Sequence, residues 1–296
     1  MKKRFEFKLG DKAFDTIVYI ITIFFTLICL YPLYLVVISS LSDPYAVARG
    51  EIFLLPKGFS LDAYVEAFKN GDIMTGYANS IFYLVVGTIV NMVLTVPAAY
   101  ALSKPKLKGR NFMMMMIVFT MYFSGGLVPH YLLIRGLGLL NTRMAVLFSA
   151  GVASTNLIIA RTFFASSIPK ELEEAAEIDG CTGPQIFLRI VLPLSKAMLG
   201  VILLYYAVSR WNNFTGSLYY QPLAPEMHSL QMVLKNMLLQ MQSVANAESE
   251  LAEYYANVYN QIKYSVIVIA SLPLMIVYPF LQKYFDKGVM MGSVKG

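Results

Sequence analysis

Apolar residues in this chain do not form the narrow stripes of a water-soluble helix; they run in long blocks. Six blocks, near 16–41, 76–102, 111–133, 143–165, 190–212 and 262–285, reach the roughly 20 residues a helix needs to cross a hydrocarbon core. The pattern predicts an all-α integral membrane protein with six transmembrane helices. The third block contains Ser124-Gly125-Gly126 and Pro129, so it is expected to break or end early. Irregular backbone at that depth needs shielding by protein or water. Two long polar stretches, 42–75 and 213–261, separate blocks on one side. The first has Asp43-Pro44, Leu55-Pro56 and a helix-like run from Ser60 to Phe68, with Ser60 placed as its N-cap. The second opens amphipathically, from Leu230 to Lys235, and then turns polar and acidic.

Composition sharpens the class. Only 14% of the 296 residues are charged and 57% are hydrophobic, whereas soluble domains carry about 25% charged residues. The basic start (Lys2, Lys3, Arg4, Lys8) leads into an apolar run too long for a signal core of roughly 7–15 residues, so it reads as a first membrane helix. Charge then orients the chain. Segments 1–15, 103–110, 161–196 and 283–296 hold 16 of the 24 Lys and Arg residues, which predicts both termini on the cytoplasmic side. The stretch Ser103 to Arg110, with four cations and no acid, is the sharpest marker. The net charge of +6 is thereby explained by anionic lipid, without nucleic acid.

Cys29 lies in the first block and Cys181 in a polar loop, so no disulfide is expected, and without CxxC or HExxH no metal site is either. Both cysteines read as packing residues. Arg161, Arg210 and Lys263 sit near block ends, where a long side chain can snorkel to the interface.

The loop between the fourth and fifth blocks reads EAAEIDGCTGPQIFLRIVLP from Glu174 to Pro193. Pro169 suits a helix start, and Glu171, Glu173 and Glu174 complement its N-terminal dipole. Gly180 permits a turn, and a second short segment from Pro184 to Ile190 leads into the fifth block. The expectation is a helix–turn–helix lying along the membrane face. Its small alanines would allow close approach by a partner, and its carboxylates would offer charge pairs.

This loop resembles the signature of permease subunits of ATP-binding-cassette (ABC) importers: EAA, three residues, Gly, nine residues, Ile, one residue, Leu-Pro. Here those positions are Glu174, Ala175, Ala176, Gly180, Ile190, Leu192 and Pro193, in register. Asp179, Gln185 and Phe187 are similar to the carbohydrate-importing branch, whereas the proline often found four residues after Leu-Pro is Ala197. His228-Ser229-Leu230-Gln231 resembles an external loop of sugar permeases. The stretch from Tyr278 to Phe285, with Lys287-Gly288-Val289, resembles the C-terminus of that family, and the closing Gly292 to Gly296 resembles the subgroup handling complex or acidic oligosaccharides, alginate-type fragments among them.

The resemblance implies a maltose-permease-like fold of six spans over 16–285, with a cytoplasmic N-terminus (1–15) and tail (286–296). The coupling loop would be 166–193 and the external loops 42–75 and 213–261. It also implies partners: two ATP-binding subunits, a second homologous permease, an external solute-binding protein and an oligosaccharide. ATP and Mg would sit on the ATPase subunits. The chain lacks GxxxxGK[ST] and would bind no cofactor itself.

Polar residues inside the blocks supply candidates for the translocation path. Thr88, Asn91 and Thr95 share one helical face, Ser149, Ala153, Asn156 and Ala160 another, and Tyr205, Ser209 and Asn212 a third, beside Trp211. Such groups can hold sugar hydroxyls; equally, small and polar residues glue membrane helices together. His130 reads as interfacial. Rival readings are a permease for a polyol or modified sugar, an intramembrane enzyme (which would need paired ionisable groups at one depth), and a membrane scaffold without transport.

Overall fold

A computed structural model describes residues 8–69, 71–245, 259 and 261–276, and among these the regular elements are helical, with one isolated bridge between Ser42 and Phe59. The chain divides into two compact units. The first contains α1 (Lys8–Ser40), α2 (Pro44–Ala48), α3 (Asp62–Lys69) and the stretch Met237–Ser271. α1 is exposed over almost its whole apolar length and becomes buried at Ile38, Ser39 and Ser40. Cys29 is therefore exposed, not packed. Asp43 caps α2 by accepting from Tyr45 and Ala46 N–H at 2.9 and 3.2 Å. Ser60 Oγ accepts Asp62 N–H at 3.1 Å, so it caps a helix that starts at Asp62. Ser40 Oγ meets Tyr64 Oη at 2.8 Å, and Gln261 Nε2 donates to the Ser42 carbonyl at 2.7 Å.

The second unit is built on Gly71–Asn236. It holds α4 (Asp72–Ser103), α5 (Arg110–Tyr122), α6 (Leu127–Gly136), α7 (Arg143–Phe148), α8 (Ser154–Ser167), α9 (Lys170–Ile178), α10 (Gly183–Ile186), α11 (Leu192–Leu194), α12 (Lys196–Trp211), α13 (Thr215–Tyr220) and the start of α14 (Leu230–Ala245). Helices α4, α8 and α12 pack on one another around Val96, Ala99, Leu157, Ala160, Ile202 and Tyr206. Ala99 and Ala160 are wholly buried; small residues let membrane helices approach closely.

Six uninterrupted spans are not what the described residues form. Phe14–Ser40 and Asp72–Ser103 are long and apolar enough to cross a membrane, and two bent pairs raise the number to at most four. The third block turns through 116° between α5 and α6, at the Ser124–Gly126 break its sequence foretold. The fourth divides at 149–153 into α7 and α8, which also separates Ser149 from the helix carrying Asn156 and Ala160. The fifth bends by 84°, so its span is α12, starting at Lys196 and not near 190. The sixth is described as an apolar helix, Gln261–Ile276; the predicted remainder to 285, the tail and the C-terminal resemblance from Tyr278 lie outside the described residues.

Candidate coupling segment and translocation path

The loop folds as its sequence predicts: helix α9, a turn, then α10. Its helix end is self-contained. Gly180 has φ +80°, Cys181 N–H reaches the Ala176 carbonyl at 2.9 Å, and Gly180 N–H reaches that of Glu177 at 3.1 Å. This pairing is a Schellman motif, which needs a left-handed residue at the position of Gly180. Open space surrounds the Gly180 Cα, so backbone conformation alone selects glycine there. Thr182 N–H donates to Gln185 Oε1 at 2.8 Å, closing the start of α10.

Beyond α10 the chain widens into a π-helical turn, Phe187–Val191, in which Leu192 N–H reaches the Phe187 carbonyl. Pro193 has no N–H to donate into the preceding turn, where the ladder widens, and the 84° bend follows at Ser195, whose backbone (φ −98°, ψ 11°) leaves the helical region. Ser195 Oγ donates to the Val191 carbonyl at 2.7 Å within that bend.

With its backbone satisfied internally, the segment presents side chains. Glu174, Ala175, Asp179 and Pro193 are exposed, Ile190 and Leu192 are half-buried, and Ala176 is buried against the core with Ile186 and Cys181. Lys104 and Tyr100, neither of them a site candidate in the sequence, fasten α9 and the π-helical turn to the rest. Lys104, just past the end of α4, forms an ion pair with Glu173, and its ammonium lies 4.1 Å from the centre of the Tyr100 ring. Tyr100 in turn lies 4.9 Å from Phe187 and 5.7 Å from Phe164, ring centre to ring centre. The cation that served only as a topology marker therefore clamps the segment to a membrane helix. Its signal was present in the sequence: the first cation after an apolar block, with a loop of four glutamates elsewhere in the chain to pair with.

The candidate path residues fare differently. Thr88, Asn91 and Thr95 are buried, as are Asn156 and Trp211. Asn91 accepts from Arg210 through Oδ1, at 2.9 Å from Nε and 2.7 Å from Nη2. Arg210 also donates to the carbonyls of Val146, Leu147 and Ala150 at 2.7–2.8 Å. Asn91 Nδ2 donates to Ala150 at 2.7 Å and to Gly151. Thr95 Oγ1 meets Tyr206 Oη at 2.6 Å, and Tyr206 Oη accepts Ala153 N–H at 3.1 Å. Trp211 packs beside Tyr77, its ring centre 6.3 Å away.

These contacts correct the expectation for Arg210. It does not snorkel; it is 4% exposed and takes the carbonyls that a continuous fourth span would give to its own N–H groups. A cation suits a helix C-terminus, and here it makes the break between α7 and α8 tolerable. Room for it comes from Gly87, where a Cβ would lie 2.7 Å from Arg210 Nε. Among the other path candidates, Tyr205, Ser209 and Asn212 are exposed on α12. Arg161 Nε donates to the Leu102 carbonyl at 3.4 Å, and Lys263 lies 5.3 Å from the Tyr259 ring centre. The stretch 226–230 is tied to α4: Asn79 Nδ2 donates to the Glu226 and His228 carbonyls, and Ser80 Oγ accepts Leu230 N–H.

A broken-helix bundle bearing an exposed EAA segment defines a class, and the family comparison agrees. Residues 73–291 match the model of the binding-protein-dependent transport system inner membrane component, and the chain belongs to that family. The polygalacturonan/rhamnogalacturonan transport system permease protein YtcP of Bacillus subtilis (strain 168) is 39% identical, over 97% of this chain and all of that one. Protein LplC of the same strain is 40% identical, over 91% and 90%. Among solved structures, a bacterial ABC transporter involved in the import of the acidic polysaccharide alginate matches with a TM-score of 0.82 and 34% identity, over 96% of this chain and 99% of that one.

Proposed function

We propose that this chain is one permease subunit of an ATP-driven importer that carries oligosaccharides, acidic ones first among them, across the cytoplasmic membrane. The observation that carries the reading is the exposed coupling segment, whose backbone is closed on itself while Glu174 and Asp179 remain presented to a partner. Family membership supports ATPase coupling, and the polygalacturonan/rhamnogalacturonan and alginate transport of two similar proteins supports the cargo class.

In this reading the chain crosses the membrane six times, with broken third and fourth spans and both termini cytoplasmic. Segment 166–193 (Glu174, Ala175, Ala176, Asp179, Gly180, Ile190, Leu192, Pro193) sits in a cleft of an ATPase subunit. Closure of the ATPases moves α9, and the Lys104–Glu173 pair and the Tyr100–Phe187 contact pass the movement to α4. Two ATPase subunits hold ATP and Mg, a second homologous permease completes the pore, and an external binding protein delivers sugar to the loops at 42–75 and 213–261. This chain holds no cofactor and no ATPase site.

Purification in mild detergent tests the assembly. An ATPase and a second permease should accompany the wild-type chain, and the ATPase should be lost when Glu174→Ala is combined with Gly180→Pro while the second permease is kept. A folded chain that emerges alone contradicts the reading and favours a scaffold.

A further inference from the structure

The fourth and third spans are both interrupted, and the interruptions lie at one level. Thr120 Oγ1, two residues before the end of α5, meets Oγ of Ser154, the first residue of α8, at 3.2 Å. From Arg110 to Tyr122 is 13 residues, a rise of about 20 Å. With Arg110 at the cytoplasmic surface, as the importer reading has it, both breaks fall within a hydrocarbon core about 30 Å thick. Lipid does not tolerate irregular backbone there, and each break has to be met by protein or by water.

The fourth-span break is met by protein. Arg210, Asn91 and Tyr206 satisfy the backbone from Val146 to Ala153. The third-span break is not. Among the described residues, neither the N–H nor the C=O of Ser124 or Gly125 has a hydrogen-bond partner, and Gly126 N–H is met only by Ser124 Oγ, at 3.2 Å. An open cavity of about 560 Å³ adjoins it, within the roughly 300–1,000 Å³ of small-molecule sites; Ser124, Gly125, Gly126 and His130 line it together with the apolar Leu127, Pro129 and Leu133. His130 Nδ1 is tied to Tyr220 Oη at 2.6 Å, which fixes the ring and leaves Nε2 for another partner. Tyr122 and Phe123 flank the break at 80% and 65% exposed.

Unpaired backbone dipoles, a hydroxyl, an oriented imidazole and exposed aromatic rings are a carbohydrate-binding set: the polar groups exchange hydrogen bonds with hydroxyls and the rings stack on sugar faces. Transporters commonly place cargo where a broken helix frees its backbone. We propose that the third-span break, Ser124–Gly126 with His130, is a sugar-contacting subsite of the translocation path. This inference rests on the importer reading. It replaces the α4 face of Thr88, Asn91 and Thr95, whose polar groups are buried in packing.

The test uses the complete importer in proteoliposomes, with an oligosaccharide chosen because it stimulates wild-type ATP hydrolysis; oligogalacturonate and oligoalginate are the first to try. Ser124→Cys is treated with a membrane-impermeant methanethiosulfonate, and labelling is compared with that of the unsubstituted chain, which carries Cys29 and Cys181. We expect rapid extra labelling, slowed at least severalfold when binding protein and oligosaccharide are present. His130→Ala should raise the oligosaccharide concentration for half-maximal ATPase stimulation by up to about tenfold, the weight of one hydrogen bond, with the maximum retained. No extra labelling would mean that the partner permease or lipid covers the break. Labelling indifferent to sugar would mean an aqueous passage without a subsite. Either result overturns the proposal while the importer reading stands. If no carbohydrate stimulates hydrolysis in the wild type, the importer reading falls, and the subsite with it.

Discussion

The coupling segment and the Arg210 pocket are both places where a helix stops, and they dispose of loose backbone groups in opposite ways. In the segment, the turn at Gly180 and the Thr182–Gln185 contact satisfy the backbone locally, so Glu174 and Asp179 stay free for a partner. In the pocket, local closure of α7 is limited to Ser149, whose N–H and Oγ reach the Ala145 and Val146 carbonyls, and the carbonyls beyond draw in Arg210 from α12 and Asn91 from α4. Polar groups there are used up inside the chain. A helix end that closes on itself leaves its side chains for other molecules; one that borrows closure from its neighbours welds the bundle instead.

The sharpest way to break this contrast is to remove the borrowed closure. Arg210→Leu removes the side-chain donor from the Leu147 carbonyl and the Asn91 amide oxygen and takes one of two donors from the Val146 and Ala150 carbonyls, and should cost about 3 kcal/mol or more of stability. The melting temperature of the purified complex reads this directly. Arg210→Lys keeps the charge but not the planar fork, and should recover only part of the loss. In the coupling segment, Gly180→Pro cannot adopt φ +80° and loses the N–H that reaches Glu177, so uptake should be abolished with little change in the melting temperature.

Smaller perturbations sharpen the comparison. Gly87→Ala drives a Cβ against the Arg210 guanidinium and should cost about 1–3 kcal/mol. The half-buried Lys104–Glu173 pair should contribute about 1 kcal/mol, and its greater effect should fall on coupling. Lys104→Glu and Glu173→Lys should each lower sugar transported per ATP hydrolysed, and the double exchange should restore much of it. Thr88→Val should be the mildest: Thr88 Oγ1 is buried without a partner among the described residues, so stability should change by less than about 0.5 kcal/mol and uptake should persist.

Legibility in the sequence follows the same division. The turn at Gly180 and the ending at Leu192-Pro193 were readable because closure there is local: each bond spans a few residues, so spacing carries the information. The break at Ser124-Gly125-Gly126 was readable for the same reason, being written in glycines and a proline. The break at 149–153 was not, because its cause lies some 60 residues away in Arg210, and nothing in the alternation of the fourth block records that distance. Thr88, Asn91 and Thr95 did fall on one face, as their spacing predicts, but periodicity says only that residues share a face and not whether that face meets cargo or a neighbouring helix. The lopsided charge of 103–110 likewise predicted a cytoplasmic Lys104 without disclosing its pairing with Glu173.

The most direct measurement is ATP hydrolysis and sugar uptake, followed together, in proteoliposomes holding the importer with either wild-type chain or Gly180→Pro. If segment 166–193 transmits ATPase closure, the variant complex melts near the wild-type temperature, yet binding protein and oligosaccharide no longer stimulate hydrolysis and uptake stops. Stimulated hydrolysis and uptake at the wild-type rate in the variant would show that the segment does not couple the ATPase to transport.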